Sequence, residues 1–285
     1  MHKEGIVDMD KGDNKYIFKD TLRRIGDSQV LSEAVSRSID REKLILEKDD
    51  YTPSADISYP EEARIVVSRK RTLEAAVAYK GMNTAVLNFA SAVSPGGGVR
   101  GGSFAQEESL CRCTTLYPCL TTKYLWNNYY EPHRNGFDRR NTDDTIYTPS
   151  VICFKQDELY PIIMEDQYWF PVNVLTTAAP DLKWPKHPEE SGCVNLSDEE
   201  LMNLHVKRAR RILSIASGEG NEAVILGAFG CGAFHNPPRL VAEAFRSVIE
   251  AEFLHSFKVI EFAVYTNPFR EDNGNAGIFA EVFGV

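Results

Sequence analysis

The chain has 285 residues, a formal net charge of −9 at pH 7 and 43% hydrophobic residues. This length suits one large domain or two small ones, and the hydrophobic content is enough to bury a sizeable core. The acidic balance argues against sequence-specific or charge-driven nucleic-acid binding, which needs many Lys and Arg side chains on phosphates. It does not exclude an anionic ligand, because backbone N–H groups and helix N-termini bind phosphate without net positive charge.

The sequence shows neither a secretory signal nor a membrane-spanning segment. Residues 1–18 contain no apolar stretch long enough for a signal peptide, and no run approaches the roughly 18 apolar residues of a membrane span. The six cysteines include no C-x-x-C pair, and a chain of this length does not need disulfides. We therefore expect a cytoplasmic protein with reduced cysteines and no membrane contact.

The first elements are helical. Helical periodicity covers residues 18–25 and 30–45, and turn residues over 49–60 predict a loop. Residues 65–67 then form a short β-branched run, 71–79 read as helix, and the apolar run 84–90 predicts a buried strand. That strand ends at a loop rich in glycine, SPGGGVRGG, and a helix is predicted from about 106 to 119.

The rest of the chain alternates strands and helices. Strands are predicted at 144–154, 170–176, 223–229 and 259–265. Helices are predicted at 197–216, 239–253 and 278–283, and loops at 127–142 and 180–188. Because strands alternate with helices and no linker or repeat is visible, we expect one α/β domain over 1–285, in which residues 1–60 form an N-terminal helical extension.

Two glycine-rich loops each follow an apolar strand and precede a helix. The first is the Pro95-Gly96-Gly97-Gly98 loop, and the second, GAFGCG, covers 227–232. Ligands of open α/β sheets bind outside the carboxyl ends of strands, and glycine permits close backbone approach. A tight strand-to-helix turn explains either loop equally well when it is taken alone. Neither loop matches a Walker or dinucleotide fingerprint, which disfavours an NTPase or a dehydrogenase.

A carboxylate pair, Glu107 and Glu108, follows the first loop. Acidic residues also suit a solvated helix N-terminus, which is the simpler interpretation. The functional one is that a carboxyl reaches a scissile glycosidic bond, which needs an acid for the leaving oxygen and a base for water. Consecutive helical residues point about 100° apart, so the two cannot face each other across one bond. One of them must carry most of the chemistry.

These motifs together resemble a known family. The string NFASAVSPGGGVRGGSFAQEE at 88–108, with SLCR and TLYP after it, resembles the signature of poly(ADP-ribose) glycohydrolases of the microbial type. The segments GAFGCGAFHNPP and VLTTAAP resemble the same branch, and the resemblance runs from about residue 18 to the end. It implies a macrodomain-like fold: a mixed, mostly parallel sheet sandwiched by helices.

The resemblance also implies roles for individual residues. Glu108 is the catalytic acid/base, and Glu107 supports it by hydrogen-bonding the ribose, which Asn88 also contacts. The substrate-binding positions that it implies are Gln106, Gly97, Gly98 and Val99 near the catalytic loop, Gly230, Cys231, Gly232, Ala233 and Phe234 in the diphosphate loop, and Phe279 (with Phe269 behind it) for adenine stacking.

The function implied is hydrolysis of the ribose–ribose bonds of poly(ADP-ribose), with ADP-ribosylated proteins as substrates. Glu108 would protonate the leaving ribose oxygen, an oxocarbenium-like sugar would form beside the diphosphate, and Glu108 would then deprotonate water. No cofactor or metal is expected. Two alternatives stay open: a non-catalytic reader of ADP-ribose, and a hydrolase of mono-ADP-ribose.

Overall fold

The computed structural model of the chain describes residues 10–51, 58–136, 138–183, 196–266 and 272–285. Within these residues, one seven-stranded sheet is flanked by helices on both faces. Its strands are β1 (Lys43–Ile45), β2 (Arg64–Ser68), β3 (Thr84–Phe89), β4 (Thr145–Cys153), β5 (Phe170–Thr177), β6 (Ala223–Leu226) and β7 (Val259–Ala263).

The sheet is mixed and mostly parallel, as expected. Its order is β1-β4-β5-β3-β6-β7-β2. The pairs β5–β3, β3–β6, β6–β7 and β7–β2 are parallel, whereas β1–β4 and β4–β5 are antiparallel. Strand β3 therefore lies at the centre of the sheet, between β5 and β6.

Ten α-helices lie in the part of the chain that the structure describes. They are α1 (Lys11–Asp27), α2 (Gln29–Arg41), α3 (Thr72–Ala76), α4 (Gln106–Cys113), α5 (Leu116–Leu120), α6 (Lys123–Leu125), α7 (Glu131–Gly136), α8 (Asp198–Gly218), α9 (Pro238–Val248) and α10 (Asn275–Phe283). Short 3₁₀ turns at Val77–Tyr79, Val99–Gly101 and Asp166–Tyr168 and π-helical turns at Trp126–Tyr130 and Ile249–Phe253 complete the set. None of the described helices is long and apolar enough to cross a membrane.

The two faces of the sheet have separate cores. Alternate side chains of a strand point to opposite faces of the sheet. In β3, the residues from Ala85 to Leu87 are all apolar, and Asn88 follows them. Ala85 and Leu87 pack with the helices α8, α9 and α10, whereas Val86 packs with α3, α4 and α5. A strand buried on both faces explains why this segment reads as a continuous apolar run.

Most predicted elements are confirmed, including the helix over 197–216, where Ser197 and Glu200 form a capping box. Three predictions are wrong in part. The helix over 30–45 ends at Arg41, and Lys43–Ile45 instead forms an edge strand on β4. The helix over 106–119 breaks at Thr114, whose extended backbone bridges to Cys153. The loop over 127–142 contains helix α7, with Tyr129 and Tyr130 buried beside it.

Candidate active site

The two glycine-rich loops leave the same edge of the sheet. Strands β3 and β6 are parallel neighbours in which Val86 lies opposite Ile225, so their carboxyl ends lie side by side. The first loop follows β3 and the second follows β6. Sheet topology thus brings together two segments that are more than a hundred residues apart, at the edge where α/β proteins bind ligands.

The first loop is a closed turn. Gly96 and Gly97 have φ values of +69° and +58°, which a residue with a side chain adopts only with strain. The N–H of Gly97 donates to the Ser94 carbonyl at 2.9 Å, and the N–H of Val99 donates to the Gly96 carbonyl at 3.1 Å. The N–H of Gly98 donates to Glu108 Oε1 at 2.8 Å. These donors are therefore used inside the protein and are not free for a phosphate.

Helix α4 begins beside this loop, and Gln106 fixes its start. The Gln106 Oε1 atom accepts the N–H of Phe89 at 2.9 Å, and its Nε2 atom donates to the Leu87 carbonyl at 2.8 Å and to Thr72 Oγ1 at 2.9 Å. Gln106 thus ties the first residue of α4 to the end of β3. Its amide groups act within the protein, although the residue also lines the neighbouring cavity.

Glu107 and Glu108 converge on the backbone of Gly97. A Cβ atom on Gly97 would lie 2.7 Å from Glu108 Oε1 and 2.9 Å from Glu107 Oε2. Glu107 Oε2 accepts the N–H of Ser91 at 2.8 Å, and Glu107 Oε1 accepts Asn88 Nδ2 at 3.4 Å. The two carboxylates therefore have different partners although they contact the same glycine, and this glycine must lack a side chain.

Both glutamates are removed from water, since Glu107 is 3% exposed and Glu108 is 6% exposed. A solvated helix N-terminus is therefore not the explanation for this pair. Burial, together with the nearby charge of Glu108, raises the pKa of Glu107 to about 8, against the hydrogen bonds from Ser91 and Asn88. Below that pH, Glu107 holds a proton, so the pair does not carry two negative charges at neutrality.

Two buried oxygens of this cluster have no hydrogen-bond partner among the described residues. They are Glu108 Oε2 and Asn88 Oδ1. An unsatisfied buried polar atom costs roughly 1–3 kcal/mol, so it is rare in folded proteins and asks for an explanation. A ligand that supplies hydroxyl groups would satisfy both atoms. Glu108 Oε1 is anchored to Gly98 while Oε2 is free, which is the arrangement that a proton-transfer group needs.

The second loop differs from the first in its free donors. Its residues Gly230, Gly232, Ala233 and Phe234 line a cavity of about 290 Å³. Within the described residues, no hydrogen bond uses the N–H groups of Gly232, Ala233 or Phe234. A Cβ on Gly232 would meet nothing within 4 Å, and its φ is not positive, so the turn itself does not require glycine here. Successive free N–H groups on a concave surface suit an anion.

Asn236, which the sequence did not single out, holds the second loop in place. Its buried Nδ2 atom donates to the Pro180 carbonyl at 2.7 Å and to the Gly230 carbonyl at 3.1 Å, while its Oδ1 atom contacts His205 Nε2 at 2.8 Å. Burial lowers the pKa of His205 to about 4, so this histidine is neutral and structural. His235 is exposed, as expected.

The structure contradicts the proposed adenine-stacking residue. Phe279 is fully buried in the core, with its ring centroid 5.5 Å from that of Phe262, so it cannot stack on a ligand. Phe269 lies outside the described residues. Among the described residues, the aromatic side chains that line the 290 Å³ cavity are Phe89, Phe104, Phe234 and Tyr265, and these are the candidates instead. Helix α10 is apolar on the face that carries Phe279, and sequence could not tell a core face from a cleft wall.

Two other predicted ligand contacts also face the core. The side chain of Val99 is completely buried, and its backbone N–H and carbonyl bond to Gly96 and Gly102. Cys231 packs partly against the core, and its thiol donates to the Phe229 carbonyl at 3.6 Å. Val99 therefore cannot offer its side chain to a ligand, whereas Cys231 keeps a partly exposed side chain, and its contact with a ligand stays a prediction.

Asp157 is a positioning residue that sequence reasoning missed. It is buried, and it accepts Ser109 Oγ at 2.6 Å and the N–H of Leu73 at 3.1 Å. Ser109 directly follows Glu108, so Asp157 fixes the turn of α4 that carries the carboxylates. Burial raises the pKa of Asp157 above its usual range. No motif marked this residue, because its partners are distant in sequence.

The described residues contain no group of three or more His, Cys, Asp or Glu side chains arranged to hold a metal ion. The polar groups that the structure brings to this site are two carboxylates, the amide of Asn88 and the free backbone donors of the second loop. A buried carboxyl with one oxygen that lacks a hydrogen-bond partner among the described residues can donate and accept a proton.

Comparison with known proteins gives relatives across nearly the whole chain. Residues 19–156 match the family "Microbial-type PARG, catalytic domain". The poly(ADP-ribose) glycohydrolase of Thermomonospora curvata has 27% identity and a TM-score of 0.78, over 95% of this chain and 100% of that one. Its complex with the inhibitor ADP-HPD has 26% identity and a TM-score of 0.78, over 95% and 99%.

A second structural relative comes from another organism. The poly(ADP-ribose) glycohydrolase of Deinococcus radiodurans in complex with ADP-ribose has 29% identity and a TM-score of 0.72, over 88% of this chain and 96% of that one. A search of curated proteins gave no match.

Proposed function

We propose that the chain is a microbial-type poly(ADP-ribose) glycohydrolase, because residues 19–156 match that family and a solved structure of such an enzyme aligns with 95% of the chain at 27% identity. It would hydrolyse the ribose–ribose O-glycosidic bonds of poly(ADP-ribose) and release ADP-ribose, with Glu108 as the general acid/base. The role of Glu108 is supported by the different surroundings of its two carboxylate oxygens. One oxygen is held by the N–H of Gly98, and the other is buried without a partner among the described residues. A non-catalytic reader of ADP-ribose would not need this arrangement.

The cavity supports one orientation of ADP-ribose. The diphosphate binds the N–H groups of Gly232, Ala233 and Phe234, and the Phe234 ring orders the ribose next to adenine. The other ribose then extends toward β3, where Asn88 Oδ1 accepts a hydroxyl and Glu107 contacts the same sugar. The volume of about 290 Å³ lies just below the range of small-molecule pockets, about 300–1,000 Å³.

Glu108 acts twice in the reaction. Its Oε2 atom first donates a proton to the leaving 2′-oxygen, and the C1″–O bond breaks to give an oxocarbenium-like ribose. The diphosphate on the second loop lies near this sugar and stabilises its positive charge. Glu108, now ionised, takes a proton from the water that attacks C1″. The carboxyl is thereby reprotonated, and the products are ADP-ribose and a polymer with a free 2′-hydroxyl.

Glu107 supports this cycle through its protonation state. Because its pKa is raised to about 8, Glu107 is neutral when Glu108 ionises during the reaction. The new charge on Glu108 therefore does not face a second carboxylate. The protonated carboxyl of Glu107 can also donate to a ribose hydroxyl, which fits the positioning role that the family resemblance implies.

The substrates are ADP-ribosylated proteins, and we place the activity in the cytoplasm. The described cysteines, Cys111, Cys113, Cys119, Cys153 and Cys231, are all free thiols. Free thiols are typical of a reducing compartment, where disulfides do not persist. We further propose that the chain acts as one catalytic domain, because β1, from the N-terminal extension, is part of the same sheet as the catalytic strands.

Product analysis tests the proposed function. The protein is incubated with protein-attached poly(ADP-ribose), and the soluble products are separated by anion-exchange chromatography. We expect ADP-ribose to accumulate as the polymer shortens. Polymer that is bound but not shortened would identify a reader, and release of ADP-ribose only from mono-ADP-ribosylated protein would identify a hydrolase of the mono-modified form.

A further inference from the structure

A second cavity lies against the first loop. It has a volume of about 540 Å³, and the backbone of Gly97 and Gly98 forms part of its wall. It shares no lining residue with the 290 Å³ cavity that we assign to ADP-ribose. The proposed function leaves this cavity unused, although it adjoins the glycine whose N–H holds Glu108.

The lining of this cavity is basic and aromatic. Arg100, Lys123 and Arg134 contribute three cations, and none of them forms an ion pair with a described residue. Such a cluster stands out in a chain with a net charge of −9. The guanidinium of Arg134 lies 5.6 Å from the centroid of Trp126, and Arg100 Nε donates to the Tyr117 hydroxyl at 2.6 Å. Unpaired cations beside an aromatic ring suit a ligand that contains phosphate and a base.

The chemistry of the substrate supplies such a ligand. In poly(ADP-ribose), the bond that is cleaved joins C1″ of one unit to the 2′-oxygen on the adenosine of the next unit. The leaving part therefore presents an adenine ring and a diphosphate close to the broken bond. Glu108 protonates this 2′-oxygen in the proposed mechanism, so the leaving adenosine emerges beside Gly98, at the wall of the second cavity.

We propose that this cavity, lined by Arg100, Lys123, Trp126 and Arg134, binds the adenosine diphosphate portion of the leaving polymer unit. The cations contact the phosphates, and Trp126 stacks on the adenine. This inference rests on the proposed function, since it assumes that the bond is cleaved at Glu108. It assigns a polymer-binding surface outside the ADP-ribose cleft and explains how the enzyme engages a chain and not only its terminal unit.

The test uses two substrates that differ only in the leaving group. One is poly(ADP-ribose), and the other is an aryl glycoside of ADP-ribose, in which a phenol replaces the leaving polymer. The variant combines Lys123→Ala with Arg134→Ala, both at exposed positions. The combination of Lys48→Ala with Lys19→Ala, which removes two exposed cations outside this cavity, is the matched control for net charge.

We expect the double variant to raise KM for the polymer by about 5- to 20-fold, since it removes two exposed charge contacts to phosphate. Its KM and kcat for the aryl glycoside and its affinity for ADP-ribose should match the wild type. The salt dependence of polymer binding, measured in a Glu108→Gln background, should also weaken. The control that combines Lys48→Ala with Lys19→Ala should leave all of these values unchanged.

Three results would overturn this inference. One is an unchanged polymer KM in the double variant, and another is an equal loss for the polymer and the aryl glycoside. The third is reduced ADP-ribose affinity, which would place these cations in the cleft already described. Failure of the proposed function is distinguishable, because the wild type would then cleave neither substrate.

Discussion

The two glycine-rich loops look alike in sequence, yet they differ in what they do with their backbone donors. In the first, the N–H groups of Gly97, Gly98 and Val99 all bond within the protein, and one of them holds Glu108. In the second, the N–H groups of Gly232, Ala233 and Phe234 have no partner among the described residues. In the first loop, glycine allows the carboxylates to pack closely against the backbone. In the second loop, it leaves the backbone N–H groups open to the cavity.

Because of this difference, the two loops have different roles in the site. The first loop positions the carboxylates, and only the second keeps backbone donors free among the described residues, which is why we assign the diphosphate to it. A glycine-rich loop after a strand therefore does not by itself indicate phosphate binding. The test is whether its N–H groups are free, and that depends on partners such as Glu108 that approach from another element.

Gly97→Ala is expected to have the largest effect in the comparison. Its Cβ would lie 2.7 Å from Glu108 Oε1 at a φ of +58°, so the carboxylates must move. A displaced general acid should lower kcat by about 10²–10³-fold. Gly101→Ala, in the same segment, meets nothing within 4 Å and serves as the control. The measurement is the steady-state kcat of the two variants. Equal kcat values would contradict the claim that the first loop positions the carboxylates by close packing.

Glu107→Gln should reduce turnover by roughly 100-fold, because a misplaced ribose no longer presents its bond to Glu108. The measurement is kcat/KM for poly(ADP-ribose), with Glu165→Gln at an exposed site as the control. If Glu107→Gln abolishes turnover while Glu108→Gln stays active, the roles of the two glutamates are reversed.

Gly232→Val tests the second loop. The added side chain would occupy the open space that we assign to the diphosphate, and loss of a charged hydrogen bond should weaken ADP-ribose binding by about 10- to 100-fold. Because φ at Gly232 is not positive and its Cβ site is empty of protein atoms, the melting temperature should stay near that of the wild type. Calorimetry and thermal unfolding of one preparation separate the two effects. Unchanged affinity in the folded variant would exclude this loop from the site.

The raised pKa of Glu107 predicts a smaller effect on stability. Its pKa is 4.5 in a model compound and about 8 in the fold, so the native state binds the proton more tightly. The folded protein therefore loses stability as pH rises from about 5 to 8, where Glu107 must ionise in a buried site. Glu107→Gln lacks this proton. Its melting temperature relative to the wild type should rise over that range, and a constant difference would contradict the assigned pKa.

Chelation should have no effect. The proposed mechanism uses Glu108, Glu107 and backbone N–H groups, and none of its steps assigns a role to a metal ion. Rates with poly(ADP-ribose) are compared before and after dialysis against EDTA. A loss of activity that a divalent ion restores would contradict the mechanism.

Local patterns predicted the parts of this fold that depend on neighbouring residues. The buried strand over 84–90 and the capped helix over 197–216 follow from apolar runs and capping residues, and both are confirmed. The QEE sequence beside the glycine loop predicted the carboxylate cluster. Its burial could not be predicted, because it depends on Ser91 and Gly98, which pack against α4 only in the fold.

Contacts between residues that are distant in the chain could not be predicted from the sequence. Asn14 of α1 donates from Nδ2 to the Gly102 carbonyl at 3.1 Å, so the N-terminal extension supports the segment that follows the first loop. Asp157 fixes α4 from 48 residues away. The prediction that Phe279 stacks on adenine is wrong because it also depends on long-range packing. An aromatic residue near the C-terminus can face either the core or a cleft, and Phe279 faces the core.

The most direct test of the account is Glu108→Gln, measured for both turnover and binding. Glutamine keeps an oxygen for the N–H of Gly98 but cannot donate and recover a proton, so the loops stay in place. We expect release of ADP-ribose from poly(ADP-ribose) to fall by about 10²–10⁴-fold, with ADP-ribose affinity by calorimetry unchanged. Release of ADP-ribose at a rate near that of the wild type would contradict the assignment of Glu108 as the acid/base.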